Sequence, residues 1–586
     1  MDDFKNQDCK NGFSMKVWRG ERMCLIGFDV DAPEDDLVGF AIECCEPGST
    51  EFYPLLNRLA FSYDAPVDRA VTGDRKFSSV ANPFQKFRWL HFPYNPQNGV
   101  YTYRGTKMHM PTDNPPVRGT SIDLPISLDP VTYENFLDVG FTRNFASSQA
   151  FAEMLQKDPT LANVIPDDPD DGLNFKRLGE NAYQWLGFEA YELIFDFLQE
   201  VVNDPSIQLD VLAYDLNEGK FFDMLKQIGP RLRILIDDSE KTDKKGTVSG
   251  HGVPTSAESK AAAGLPAGSQ VRRMHFMNLQ HNKVLIAKRD GKCFKVLTGS
   301  TNFSYRGIYI QANNVLVFNS PEIAQLYGDY FEAAFQDYQN PKVIRKDPLT
   351  MDWHTPSTSL NLPVEICFSP HSDPDVSLGK VKAAIDAAVS PNSSVLYSVA
   401  FLNLITSGKT KEAFDSLMTR PVFSYGVVDT LGKLEVHKPD GSVGQVDFNY
   451  LSDHAPEPFK SEWSGGKGIN VHHKFVVTDF NLPTAQVFTG SSNLAPGGEK
   501  NNGDNLISIK DQRVATSYAL EALRIFDHLH FRSTMKQAFD NKDKAMTMKA
   551  LTLAKPTAIS HEKAAWFEEY YVADSQKERD RKLFSH

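Results

Sequence analysis

The spacing of apolar residues changes character along the chain. From about residue 14 to 120 it alternates with a period of two, as in Met23-Cys24-Leu25-Ile26-Gly27-Phe28-Asp29-Val30 and Leu37-Val38-Gly39-Phe40-Ala41-Ile42. Phe87–Phe92 and Val100–Gly105 alternate in the same way, and Pro, Gly and Asp clusters separate the runs. Short strands with regular turn signals predict a β-sandwich of fibronectin type, serving as a scaffold or docking module or contributing to substrate binding. From Trp185 the period becomes helical, with Leu186, Ala190, Leu193, Ile194, Phe197, Leu198 and Val201 on one stripe. A strand at 209–214, a helix around 221–228 and a strand at 231–236 then predict a β-α-β unit with a parallel sheet.

The same order returns downstream. Strands are expected at 364–368, 395–402 and 422–428, with helices across 381–388 and 411–419 and an amphipathic helix bearing Val514, Tyr518, Leu523 and Phe526. Residues 121–180 read as a connection with a solvated acidic turn at Pro166–Asp171, and 345–362 as a linker. Two long loops are expected, Asp237–Gln270 and the stretch ending at Asn470; the first is a lid over a substrate entrance or a disordered insertion. The tail beyond 540 is polar and charged. The expected architecture is α/β, in three units: an all-β domain at 1–120 and two α/β/α halves at 121–345 and 346–586.

Composition excludes little. The chain has 586 residues, 41% of them hydrophobic and 23% charged, as in ordinary globular proteins. A net charge of −13 argues against a dedicated nucleic-acid binder, although a local basic cleft is compatible with it. The six cysteines are scattered without a C-x-x-C pair, which predicts a reducing, cytoplasmic setting with no zinc site or other cofactor. Cys44 and Cys45 read as neighbours in a strand. The first sixteen residues lack a secretory pattern, and no apolar run approaches the roughly 18 residues of a membrane-spanning helix, so any lipid contact is peripheral.

The chemistry-bearing feature is a motif present twice. His472, Lys474 and Asp479 are followed by Gly490, Ser491 and Asn493; His281 and Lys283 are followed by Gly299, Ser300 and Asn302. The offset is constant, since 472 − 281, 474 − 283, 491 − 300 and 493 − 302 all equal 191. It also relates Asn314 to Asn505, Ala324 to Ala515, Tyr327 to Tyr518 and Phe335 to Phe526, without a gap. A repeat of that length is a duplicated domain rather than a solenoid. An imidazole and an ammonium two positions apart share a strand face, a poor packing surface and a good phosphate site.

These residues resemble the phospholipase D superfamily, whose signature is H-x-K-x-x-x-x-D followed by G-S-x-N and an acidic residue fourteen positions after that glycine. The resemblance covers about residues 180–540. The second copy matches in full, with Asp504 at the acidic position; the first has Lys288 in place of the Asp and Asn313 in place of the acidic residue. Tyrosyl-DNA phosphodiesterases, a branch of the superfamily, also lack this Asp. The resemblance implies one active site where the halves meet, complete within one monomer and independent of metal. It implies that His281, Lys283, His472, Lys474, Asp479 and Asp504 are catalytic and that Ser300, Asn302, Ser491 and Asn493 bind substrate. A carboxylate raises a neighbouring histidine's pKa, so Asp504 is expected to keep His472 protonated as general acid while His281, near Asn313, attacks as nucleophile. The expected activity is hydrolysis of a phosphodiester, foremost a phospholipid head-group ester, through a phosphohistidine. The alternatives are an endonuclease and a non-catalytic phosphate-binding protein.

Overall fold

The computed structural model describes residues 4–63, 76–130, 133–143, 158–420, 422–430, 433–438, 442–446, 470–540 and 552–586. Near the N-terminus, two four-stranded antiparallel sheets face each other. One orders Lys5–Lys10, Phe13–Gly20, Met23–Val30 and Arg88–His91; the other orders Val117–Ser127, Val100–His109, Leu37–Cys45 and Tyr53–Pro54. The inward side chains of the alternating runs make the core between them, with the Phe28 and Phe40 rings stacked at 4.5 Å. Cys44 and Cys45 lie in a strand, as expected. The last sandwich strand runs through residue 120 to Ser127.

Two larger mixed sheets follow. The first orders Leu137–Phe141, Asn314–Phe318, Lys292–Gly299, Val284–Arg289, Ile207–Ala213, Leu232–Ile236 and Gln270–Arg273. The second orders Val364–Phe368, Asn505–Ile509, Gln486–Gly490, Lys474–Thr478, Ser394–Ala400, Phe423–Thr430, Lys433–His437 and Val443–Val446. Ile207–Ala213 and Leu232–Ile236 pair in parallel, as the β-α-β pattern requires. The motif strands pair antiparallel to their neighbours on both sides, so neither sheet is purely parallel. The reason is local: Asp290-Gly291, both at positive φ, turn the chain straight back as a hairpin. Helices Pro321–Gln336 and Gln512–Asp540 carry Tyr327, Tyr330, Tyr518 and Leu523 into a core that spans both halves.

The loops hold more structure than the sequence pattern indicates. Residues 237–270 contain a hairpin, Glu240–Thr242 with Val248–Gly250, and a helix, Ala257–Gly264, whose first turn is capped by the Ser256 hydroxyl. The polar runs there conceal a capping serine followed by an Ala-rich turn. Beyond Val428, strands Lys433–His437 and Val443–Val446 widen the second sheet; the Ser-Gly-Gly part of that expected loop lies outside the described residues. The charged tail also departs from expectation. Its sparse aromatics are its buried face: Trp566 donates to Leu37 O at 2.8 Å, Tyr571 donates to Val30 O at 2.5 Å, and Phe584 is fully buried against Phe423 and Phe480. Helix Gln576–Ser585 thus clamps the sandwich to the second half. Gly27 is required beneath it, because a Cβ there would meet Phe584 O at 2.2 Å.

Candidate active site

Each histidine stands in the lead-in to its motif strand, where two short bridges cross between the halves. Gln280 bridges Gly503 and Ala312 bridges Val471, both in parallel. These are one interaction made twice, since 280 + 191 = 471 and 312 + 191 = 503. His281 N donates to Gly503 O at 2.8 Å, and His472 N donates to Ala312 O at 2.9 Å. Each half supplies an aspartate that holds its own lead-in: Asp237 accepts from Gln280 N at 2.7 Å, and Asp429 accepts from Val471 N at 2.8 Å.

The crossing decides which residue meets which ring. Asn313 follows Ala312 and Asp504 follows Gly503, so each is delivered onto the opposite half's histidine. Asp504 Oδ1 lies 2.7 Å from His281 Nδ1, and Asn313 Oδ1 lies 3.0 Å from His472 Nδ1. The expected pairing of Asp504 with His472 is therefore wrong, and so is that of Asn313 with His281. Counting along one copy places the acidic position near its own histidine; the interlocked bridges place it across the seam.

Ser300 and Ser491 do not face the cleft as substrate ligands. The Ser300 hydroxyl donates to Asn313 Oδ1 at 2.9 Å, and the Ser491 hydroxyl donates to Asp504 Oδ1 at 2.7 Å. They brace the groups that hold the rings. Asn313 Nδ2 donates to Gly307 O at 2.9 Å, which fixes its amide with oxygen toward His472. Both rings then present Nδ1 to an oxygen acceptor, with His281 Nε2 turned away from it and His472 Nε2 facing Lys474 Nζ. Asn302 gives one amide hydrogen to Asp215 Oδ2 at 2.6 Å, which leaves one for a substrate oxygen. The amide oxygens of Asn302 and Asn493 are buried without a hydrogen bond.

Lys283 Nζ donates to His281 O and lies 4.8 Å from the Tyr214 ring centre. Lys474 Nζ sits 3.0 Å from His472 Nε2 and donates to His472 O at 2.8 Å. All four side chains are buried. Burial, reinforced by the Lys283 charge, pushes the His281 pKa below its ordinary value, with Asp504 opposing. Burial and the charges of Lys474 and Lys283 push His472 much further down. Burial brings Lys283 down to about 8, and burial with the Lys283 charge pushes Lys474 well below the usual lysine range. Four basic groups crowded into a dry seam each hold their protons less firmly than in water, and an anion brought among them opposes that shift.

Asp479 is not in this cluster. It ends the motif strand seven residues past His472, roughly 20 Å away by strand rise. There Asp479 Oδ1 accepts from Ser394 N at 3.2 Å and Oδ2 from the Thr484 hydroxyl at 2.9 Å. Its catalytic assignment is corrected to a strand-end brace. Asp479→Ala is expected to lower stability by about 1–3 kcal/mol while leaving kcat near the wild-type value, checked by thermal denaturation beside steady-state rates. Lys288, at the equivalent place in the first copy, makes an ion pair with buried Asp210 at 2.5 Å instead.

The motif comparison also misses residues that line the site. Tyr214 stacks edge-on at 4.9 Å against His281, and Phe401 stands edge-on at 6.3 Å from His472. They follow strands Ile207–Ala213 and Ser394–Ala400. Their offset is 401 − 214 = 187, outside the 191 register, so an ungapped comparison passes over them.

Residues 208–335 match the family model described as "Cardiolipin synthase, PLD-like domain". Over that segment the chain carries a phospholipase D-like domain, in keeping with the doubled motif. Among solved structures, it is similar to a phosphatidylserine synthase from Haemophilus influenzae Rd KW20, at 11% identity and TM-score 0.37, over 62% of this chain and 93% of that one. Similarity to the phospholipase D family member Nuc from Salmonella typhimurium covers 25% of this chain and 87% of that one, at 23% identity and TM-score 0.19. Polyphosphate kinase from Porphyromonas gingivalis aligns at 10% identity and TM-score 0.34, over 58% of this chain and 45% of that one, so this chain spans under half of that protein's length. A search of the curated proteins gives no match. No helix among the described residues is long and apolar enough to cross a membrane.

Proposed function

We propose that the chain is a phosphodiesterase of the phospholipase D type, cleaving a phospholipid head-group ester through a phosphohistidine. The observation that carries this reading is the exchange across the seam: two His-Lys pairs, each ring steered at Nδ1 by a residue of the other half. His281 Nε2 attacks phosphorus, and the P–O bond to the leaving alcohol breaks as His472 Nε2–H gives that oxygen its proton. Water then attacks while His472 takes its proton, the P–N bond breaks, and His281 regains its lone pair. Lys283 and Lys474 stabilise the equatorial oxygens.

The roles stay as the sequence resemblance orders them, for a different physical reason. A carboxylate on Nδ1 favours the positive charge that builds on His281 as it attacks. His472 has only a neutral amide there, so it gains its proton when an anionic phosphate offsets the two lysines. The family model's description favours a phospholipid over a nucleic acid, as does the net charge of −13.

The test is turnover of phosphatidylcholine, phosphatidylethanolamine and cardiolipin vesicles beside single- and double-stranded DNA, with ethanol added in one arm to detect transfer. Head-group release from vesicles, weakly dependent on salt, supports the reading; cleavage of DNA alone, falling steeply with salt, rejects it. In addition, kcat/KM is expected to decline above about pH 8, where Lys283 loses its proton. Lys283→Arg keeps its charge and should move that decline upward.

A further inference from the structure

Beside the seam, on the far side of Tyr214, stands a second cluster that the phosphodiester chemistry leaves unused. The Tyr214 ring lies between two imidazoles, with its centre 4.9 Å from that of His281 and 4.6 Å from that of His251. His251 Nε2 is 3.2 Å from Asp215 Oδ1 and 3.9 Å from Glu258 Oε2. One ligand atom from each of Asp215, His251 and Glu258 falls within 4.8 Å of the others. The three come from separate elements: the end of strand Ile207–Ala213, the turn after Val248–Gly250, and the first turn of helix Ala257–Gly264.

Two features mark this as a built site rather than a chance gathering of charge. The first is the fixing of the imidazole. Asp237 Oδ2 accepts from His251 Nδ1 at 2.9 Å and is itself held by Ser239 N at 3.0 Å. The His251 carbonyl receives Arg273 Nη2 at 2.7 Å and the Ser256 hydroxyl at 2.6 Å. A histidine anchored at one nitrogen by a carboxylate, with the other aimed at further carboxylates, has the outer-shell arrangement of a metal ligand. The second is Glu258, only 3% exposed. Its Oε1 accepts from Leu216 N at 2.9 Å, while Oε2 lies 3.9 Å from His251 Nε2 and points into the cluster. A carboxylate buried to this degree is costly unless positive charge meets it.

We infer that Asp215, His251 and Glu258 form a binding site for one divalent first-row cation of the Zn2+ or Mn2+ type. One imidazole with two carboxylates selects such ions over Mg2+ or Ca2+, which prefer all-oxygen shells. The cation would take Asp215 Oδ1, while Oδ2 keeps the Asn302 amide. It would thus tie the 237–258 segment to an amide at the edge of the cleft. The inference is independent of which phosphodiester is cleaved.

The test is isothermal titration of the EDTA-treated full chain with ZnCl2 and with MnCl2. One saturable equivalent is expected in the wild type, weakened at least about tenfold by His251→Gln and by Glu258→Gln. The exposed control His275→Gln should bind as the wild type does. Wild-type protein carrying one equivalent of zinc should show, by X-ray absorption, a single imidazole with oxygen ligands, a readout that stands even where a variant fails to fold. Absence of saturable uptake by the wild type, unchanged affinity in both variants, or two or more imidazoles around zinc would overturn the proposal; the first result would leave an ion-pair network as the cluster's whole role.

Discussion

His281→Ala is expected to reduce turnover of bis(p-nitrophenyl) phosphate by on the order of 10⁴-fold or more, with no burst of nitrophenol. His472→Ala should fail differently. A nitrophenolate leaves without needing a proton, so phosphorylation of His281 should still proceed and release about one equivalent of nitrophenol per enzyme. Hydrolysis then stalls, because no imidazole takes the proton from water. On a substrate with an alkyl leaving group, which needs that proton, the His472 variant should lose the first step too. Stopped-flow absorbance of the two variants checks this, and equal behaviour on the aryl substrate would remove the division of roles.

The second large effect is expected at Asp504. Asp504→Ala takes away the acceptor for His281 Nδ1 and for the Ser491 hydroxyl together, leaving the ring free to turn. A loss of about 10⁴-fold in kcat is expected, on the scale seen when the residue that orients a catalytic histidine is disabled. Asp504→Asn should be milder, at roughly 10- to 100-fold, because Asn313 already shows an amide oxygen performing the same geometry on the other ring. That difference separates orientation from charge. The reciprocal change, Asn313→Asp, places a carboxylate against His472 Nδ1 and raises its pKa, so the general acid stays protonated to higher pH. The decline of kcat with rising pH for an alkyl phosphodiester should move upward in this variant. An unchanged profile would mean that Asn313 does not govern the proton on His472.

Much of this was legible in the sequence because duplication is a strong signal. The 191-residue register brought out both histidines, both lysines and both asparagines. It also related Asn314 to Asn505 and Tyr327 to Tyr518, which the seam now explains: Asn314 Nδ2 donates to Tyr518 OH at 2.9 Å, and Tyr327 OH donates to Asn505 Oδ1 at 3.2 Å, each across the halves. What one copy could not reveal was that its acidic position serves the other. Linear spacing describes a single half, whereas the pairing of Asp504 with His281 is a property of two halves interlocked. Asp479 misled for a related reason, since a residue inside a motif need not be inside a site. Its carboxylate closes a strand end, and in the first copy Lys288 takes that place while pairing with Asp210. The tail's average composition hides its aromatics, Trp566 and Tyr571 packing on the sandwich and Phe584 against the second half.

The most direct measurement is to quench the His472→Ala protein during reaction with a ³²P-labelled aryl phosphodiester and map the label by peptide sequencing under alkaline conditions. Label on His281 is the outcome the interlocked arrangement predicts. Label on any other residue, or none despite a full burst of leaving group, would contradict it.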